Sequence, residues 1–156
     1  MLDVPLDQKE TGMRFLHVGL KVDDIHRSTQ LYRSLFGIEW EPVREYVLDD
    51  AVLEGEVQPC RTLVTHGRTT NGFEIEMVQL VEGHIPDELV LGDREGVSHL
   101  AFTVDDLDAA AGDAQAGGLR KVSDYRSDYV DFAFFMSGEL GGVLTQLVQF
   151  KGASRD

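Results

Sequence analysis

Two stretches of the chain are almost unbroken in apolar character, Phe15–Val22 and Val97–Val104. Runs of this length bounded by polar residues read as buried strands. A pair of aspartates follows each run. Asp23 and Asp105 are expected to cap a helix, with the second aspartate of each pair in its first turn. The apolar period then changes to that of a helix. Ile25, Leu31, Tyr32, Leu35 and Phe36 form one stripe, ended by Gly37; Leu107, Ala110, Ala111 and Ala114 form the other, ended by Gly117 and Gly118. Three strand signals come next in each half: Ile38–Leu48, Cys60–His66 and Phe73–Val81, then Lys121–Tyr125, Tyr129–Met136 and Val143–Phe150. The turn-rich stretches Gly67–Gly72 and Ser137–Gly142 precede the last strand of each half. Asp49–Gln58 is polar and reads as a loop. Gly83–Gly96, with Pro86 and a short helix near Asp87–Leu91, reads as a linker.

The halves share sequence as well as grammar. Residues 17–25 read HVGLKVDDI and residues 99–107 read HLAFTVDDL, a constant 82 positions apart. The closing strands carry EMVQ at 76–79 and QLVQ at 146–149. The expected fold is therefore α+β, with two tandem βαβββ modules, about 14–82 and about 96–151, in a single domain spanning 1–156. One such unit leaves half a sheet face bare. Two can wrap their sheets around a shared cavity and keep the helices outside.

Composition narrows the partners. The chain has 156 residues, 42% hydrophobic and 27% charged, as in an ordinary globular protein. Its formal net charge of −14 repels nucleic-acid phosphates and anionic membranes, so neither is expected as a partner. A lone cysteine, Cys60, excludes an intrachain disulfide and reads as a buried small residue. Met1–Gly12 is polar and acidic with no apolar signal region, and a cytoplasmic location is the expectation.

The repeat also selects candidate chemistry. His17 shares a strand face with Gly19, and His99 with Ala101. Small neighbours leave room for a ligand, and neutral imidazole is a common metal ligand. A metal needs more donors, and the closing strands can supply them. The EMVQ/QLVQ match nominates Glu76 and Gln146, whereas a VQLV/TQLV match nominates Gln79, on the opposite face. Glu76 is the favoured choice, because a carboxylate among apolar neighbours is costly to bury without a partner. Its alternative is a solvent-facing residue, as Glu74 is expected to be. His26, His66 and His84 lack repeat partners and read as surface or loop residues.

The segments FLHVGLKVDDIHRSTQLYRSLFGI, FEIEMVQLVEG, EGVSHLAFTVDDLDAA and FAFFMSGELGGVLTQLVQF together resemble the vicinal oxygen chelate superfamily. That group includes glyoxalase I, methylmalonyl-CoA epimerase, extradiol dioxygenases, thiol transferases of fosfomycin resistance and bleomycin-binding proteins. The resemblance runs from about Arg14 to Lys151 and is nearest to glyoxalase-like and epimerase-like members. It implies an open, cupped eight-stranded barrel with a divalent metal (Zn, Ni, Co, Mn, Mg or Fe) held by His17, Glu76, His99 and Gln146. It also implies a small-molecule substrate and a homodimer, for which Met1–Gly12 could form an arm.

The implied reaction is isomerisation or lysis of a small carbonyl compound through a metal-stabilised enolate, with Glu76 as ligand and catalytic base. Epimerase-like members usually have Glu where Gln146 stands, and an amide cannot cycle a proton at neutral pH. Glu45 is a remote second candidate for a base. The departure at Gln146 keeps a non-catalytic, resistance-type binding protein as the alternative. An Fe(II) dioxygenase using His17, His99 and Glu76 ranks third.

Overall fold

The computed structural model describes residues 12–152. The first half runs β1 (Arg14–Lys21), α1 (Ile25–Phe36), β2 (Glu39–Trp40), β3 (Arg44–Leu48), β4 (Val52–Leu53), β5 (Glu56–Val57), β6 (Cys60–Arg68) and β7 (Glu74–Gly83). After the linker helix α2 (Glu88–Leu91) come β8 (Gly96–Thr103), α3 (Leu107–Ala116), β9 (Arg120–Arg126), β10 (Val130–Met136) and β11 (Leu144–Phe150). The expected Met1–Gly12 arm, apart from Gly12, lies outside the described residues.

All strands join one mixed sheet in the order β2-β6-β7-β1-β8-β11-β10-β9-β4-β5, with β3 also on β6. Each half closes in the same way: β1 pairs in parallel with β7, and β8 with β11. The two halves meet where β1 runs antiparallel to β8. The α+β class holds, but the sheet is open, with no ladder between β3 and β4. It is nonetheless strongly curved. β3 lies on β6 and β4 on β9, eight strand spacings apart along the sheet, or roughly 38 Å if it were flat. Yet only residues 49–51 separate Leu48 from Val52, which limits their Cα separation to about 14 Å.

Among the described residues eleven strands replace the expected eight, for two local reasons. Pro42 has no amide hydrogen, and the predicted strand Ile38–Leu48 breaks around it into β2 and β3. The expected loop Asp49–Gln58 contains a two-residue hairpin. Glu54 and Gly55 have φ of 52° and 81°, the positive values that a tight turn compatible with strand twist requires. Its first strand adds to β9 of the other half, through Val52↔Asp124 and Leu53↔Ser123.

The helix caps are Asp24 and Asp106, one residue later than expected. Their carboxylates accept from Arg27 N (3.1 Å) and Ala109 N (3.0 Å), and so occupy the N-cap rather than the first turn. α1 also departs from its predicted stripe. Ile25 is buried and Tyr32 half-buried, but Leu31, Leu35 and Phe36 are exposed. Thr29 takes an inward position instead, with its hydroxyl donating to Ile25 O at 2.8 Å. The helices cover one face of the sheet: α1 over Val22 and Met77, α3 over Ala133, Phe135 and Leu147. The opposite, inner face carries Cys60 and Val78 in one half and Val122, Phe134 and Leu144 in the other. The linker packs on this inner face, with Ile85 against the first group and Val90 against the second.

Candidate metal centre

The β1–β8 register explains the small residues beside the histidines. Ala101 lies opposite His17 and Gly19 opposite His99, so each imidazole sits across from the other half's small residue. The room expected at Gly19 is not vacant. A Cβ built there would lie 2.0 Å from Cε1 of His99, so the His99 ring itself fills the space. The outcome is a close approach of two buried imidazoles, with Nε2 of His17 3.1 Å from Nε2 of His99.

Glu76 on β7 completes the group. Its Oε1 lies 3.4 Å from His99 Nε2 and its Oε2 3.6 Å from His17 Nε2. The donor atoms of His17, Glu76 and His99 all fall within 4.8 Å of one another. Ligands about 2.0–2.2 Å from one tetrahedral ion are separated by roughly 3.4 Å, so these spacings and this donor set fit a divalent metal.

The choice between Glu76 and Gln79 is resolved by where each side chain is used. Gln79 Oε1 accepts from Ile25 N at 3.0 Å, on the helix side of the sheet. Gln149 Oε1 does the same for Leu107 N at 2.9 Å. The two closing strands are therefore in the EMVQ/QLVQ register. Glu76 opposes Gly19 as Gln146 opposes Ala101. Gln146 lies on the same face of β11 as Leu144, and its buried Oε1 has no hydrogen-bond partner among the described residues. An orphaned carbonyl oxygen at this position suits a fourth ligand.

Four residues around the trio were not anticipated. His66 is neither on the surface nor in a loop. It sits on β6 opposite Glu76, is 16% exposed, and its Nε2 lies 2.8 Å from Glu76 Oε2. Its Nδ1 is 3.8 Å from Glu41 Oε2. Glu74, expected to face solvent, is buried with Oε2 3.6 Å from His17 Nδ1. Asp87 of the linker and Ser98 flank His99 on its Nδ1 side, at 3.4 Å and 3.0 Å. The inward parity of His66 was available from the alternation of β6, but its meeting with Glu76 required the β6–β7 register. Asp87 carried no local signal at all.

Glu45 faces away from this site. It pairs with Leu63, whose side chain packs under α1, and its carboxylate lies 3.9 Å from Arg61. His26 and His84 are exposed, in keeping with expectation.

Burial opposes ionisation of Glu76, but His17, His66 and His99 outweigh it and hold the carboxyl well below the usual range. Burial likewise opposes charge on His99. Hydrogen bonding and attraction from Asp87 and Glu76 overcome it and push the imidazole up to about 9. Both shifts run the same way, each favouring the charged form of its group beside the other.

One groove of about 440 Å³ lies outside the cup between α1 and residues 40–43. Another of about 300 Å³ lies between Val90, Arg120 and the 137–143 loop. Neither includes the trio. Glu76 and His66, at 15% and 16%, provide the group's exposure to solvent.

The chain matches the family model described as the Glyoxalase/Bleomycin resistance protein/Dioxygenase superfamily over residues 16–134. No curated protein sequence matches it significantly. Among solved structures it is similar to methylmalonyl-CoA epimerase from Mycobacterium tuberculosis, at 22% identity over 88% of each chain with a TM-score of 0.63. It is also similar to a methylmalonyl-CoA epimerase variant from Streptomyces coelicolor in complex with 2-nitronate-propionyl-CoA. That match has 26% identity over 90% of this chain and 98% of that one, with a TM-score of 0.55. A 4-hydroxymandelate synthase mutant from Streptomyces coelicolor is similar at 19% identity, over 98% of this chain and 54% of that one, with a TM-score of 0.62. With its sheet of paired halves and a family match over more than half its length, the chain belongs to the Glyoxalase/Bleomycin resistance protein/Dioxygenase superfamily.

Proposed function

We propose that this single-domain chain is a metal-dependent isomerase or lyase that moves a proton beside the carbonyl of a small substrate. The observation that carries this is the convergence of His17 Nε2, His99 Nε2 and the Glu76 carboxylate at the seam between the halves. The likeness to an epimerase at 26% identity supports proton transfer as the reaction type. His17, Glu76 and His99 would hold the ion, with Gln146 Oε1 as the fourth donor. A divalent ion there would act as a Lewis acid on the substrate oxygens and stabilise enolate charge.

The chain's own residues then divide the work. Glu76 presents one oxygen to His99 and the other to His66, so its two oxygens have different surroundings. The Glu76 carboxylate takes the proton from the carbon beside the carbonyl. His66 Nε2 is next to the accepting oxygen and partly exposed, and it exchanges that proton with solvent. Phe134, buried and edge-on to His99 at 5.3 Å between ring centroids, forms an apolar wall beside the ligands that would restrict water there.

Metal analysis of protein purified without chelator, followed by α-proton exchange in D₂O on acyl thioesters and 2-oxo aldehyde–thiol adducts, tests this reading. A stoichiometric divalent ion and metal-dependent exchange are expected. Glu76→Gln should reduce exchange by about 10²–10⁴-fold. His66→Gln should lower kcat by about tenfold or more with little change in metal affinity. Protein that takes up no ion would remove the enzyme reading and leave a small-molecule-binding module.

The two-His, one-carboxylate composition of the trio favours a second reading, an Fe(II) oxygenase. Oxygen consumption on a catechol by the iron-loaded protein, without α-proton exchange, would replace the first reading with it. As part of the same proposal the chain pairs as a homodimer, and exposed Leu31, Leu35 and Phe36 on α1 offer apolar surface for contact. Sedimentation showing one species of a single chain's mass at micromolar concentration would refute the dimer.

A further inference from the structure

We propose that Asp87, acting through the Ser98 hydroxyl, is a positioning residue that keeps a proton on Nδ1 of His99 and so leaves Nε2 directed at His17 and Glu76. The inference rests on the metal-site reading above and concerns how this chain prepares one of its ligands.

Asp87 stands at the N-cap of α2, a position where aspartate usually caps the helix. It makes no side-chain cap hydrogen bond. Its carboxylate turns inward instead, 4% exposed, to two groups on β8. Ser98 Oγ donates to Asp87 Oδ2, and His99 Nδ1 lies 3.4 Å from the same oxygen. A carboxylate buried this way is costly unless such partners hold it.

Counting protons then constrains His99. Ser98 is fully buried, and its hydroxyl has one hydrogen to give. Gly19 O, at 3.3 Å, is a neutral and more distant acceptor than the carboxylate, so the hydrogen goes to Asp87. Ser98 Oγ therefore faces His99 Nδ1, 3.0 Å away, with a lone pair. Two acceptors at Nδ1, a hydroxyl oxygen and a carboxylate oxygen, require that nitrogen to carry hydrogen. Nε2 is then the nitrogen left to coordinate, and the ring is fixed in orientation as well as in tautomer.

The repeat explains why the linker has this task. In the first half the closing strand itself brings Glu74 to His17 Nδ1, at 3.6 Å. In the second half the residue of the closing strand opposite His99 is Leu144, which has no acceptor. The missing carboxylate comes from Asp87, in the segment that joins the halves.

The test uses the full chain and Co(II) as probe. Asp87→Asn keeps the volume but removes the charge, and Ser98→Ala removes the relay. Each should weaken Co(II) binding about 10–100-fold by calorimetry and alter the visible Co(II) spectrum, with the fold retained by thermal melting. Unchanged affinity and spectrum in both variants would overturn the inference while leaving the proposed function standing. If the unsubstituted chain takes up no Co(II), the proposed function falls, and NMR of ring-labelled, metal-free protein still decides this one. A protected His99 Nδ1–H resonance that disappears in Asp87→Asn supports the assignment; the same resonance in both proteins refutes it.

Discussion

At Gly19 a missing side chain matters as much as any present one. The His99 ring occupies the space where a Cβ would stand, 2.0 Å from its Cε1. Both sit on central strands, so neither backbone can retreat easily. Gly19→Ala is expected to displace the His99 ring, cost about 1–3 kcal/mol in stability and weaken metal binding. Chemical denaturation and metal titration check this; an alanine variant with unchanged metal affinity would show that the ring can move freely.

The charge state of His99 gives a second prediction. Its imidazole is raised to about 9 when no metal is bound. A raised cation favours the folded state below the unfolded histidine value of about 6.5, and that contribution is lost as pH rises through the folded value. Glu76 is depressed, so its contribution is present above about 4.3 and lost at lower pH. A metal held as proposed would have to displace the proton on His99 Nε2. Uptake between pH 7 and 8 should therefore release about one proton, and affinity should climb toward pH 9. Calorimetry in two buffers of different ionisation enthalpy measures the proton directly, and zero release would contradict the assignment.

At the scale of elements, the repeat extends to how the helices are started. Gln79 and Gln149 each use a side-chain carbonyl to accept the first helical amide, Ile25 N and Leu107 N. Those amides are otherwise orphaned at a helix start. Gln79→Met and Gln149→Met should each cost about 1–3 kcal/mol, since the freed donor is partly buried, while leaving metal affinity nearly unchanged. A large loss of metal binding in Gln79→Met would instead argue for the other register. This is also where sequence reading reached its limit. Apolar runs and periods were enough to locate β1, α1, β8 and α3, because local alternation encodes them. Whether Glu76 or Gln79 faced inward depended on the pairing of β1 with β7. Likewise, the stripe of α1 was legible, but only its Ile25 and Tyr32 join the core cluster, while Leu31, Leu35 and Phe36 stay exposed. His66 and Asp87 reach the site only through tertiary pairing, which no short window contains.

The whole molecule depends on one small feature to bring its sheet ends together. The hairpin of β4 and β5 leaves the first half and pairs with β9 of the second. Ser123 Oγ donates to Val52 O at 2.8 Å, and Arg120 meets Glu54 at 2.6 Å. The Arg120–Glu54 pair is exposed and adds little by itself. The turn is the more vulnerable part, because Gly55 sits at φ 81°, where a β-branched side chain is strained. Gly55→Val should cost about 1–3 kcal/mol in the hairpin. Because β4 has few contacts beyond β5 and β9, that cost should appear as local opening rather than global unfolding. Hydrogen exchange should quicken at Glu54, whose amide bonds to Val122 O, while the β1–β8 amides around His17 and His99 keep their protection. If protection at β1 and β8 falls in parallel, the histidine pair and the sheet ends belong to one cooperative unit, and the curvature imposed by residues 49–51 is itself what holds the two histidines together.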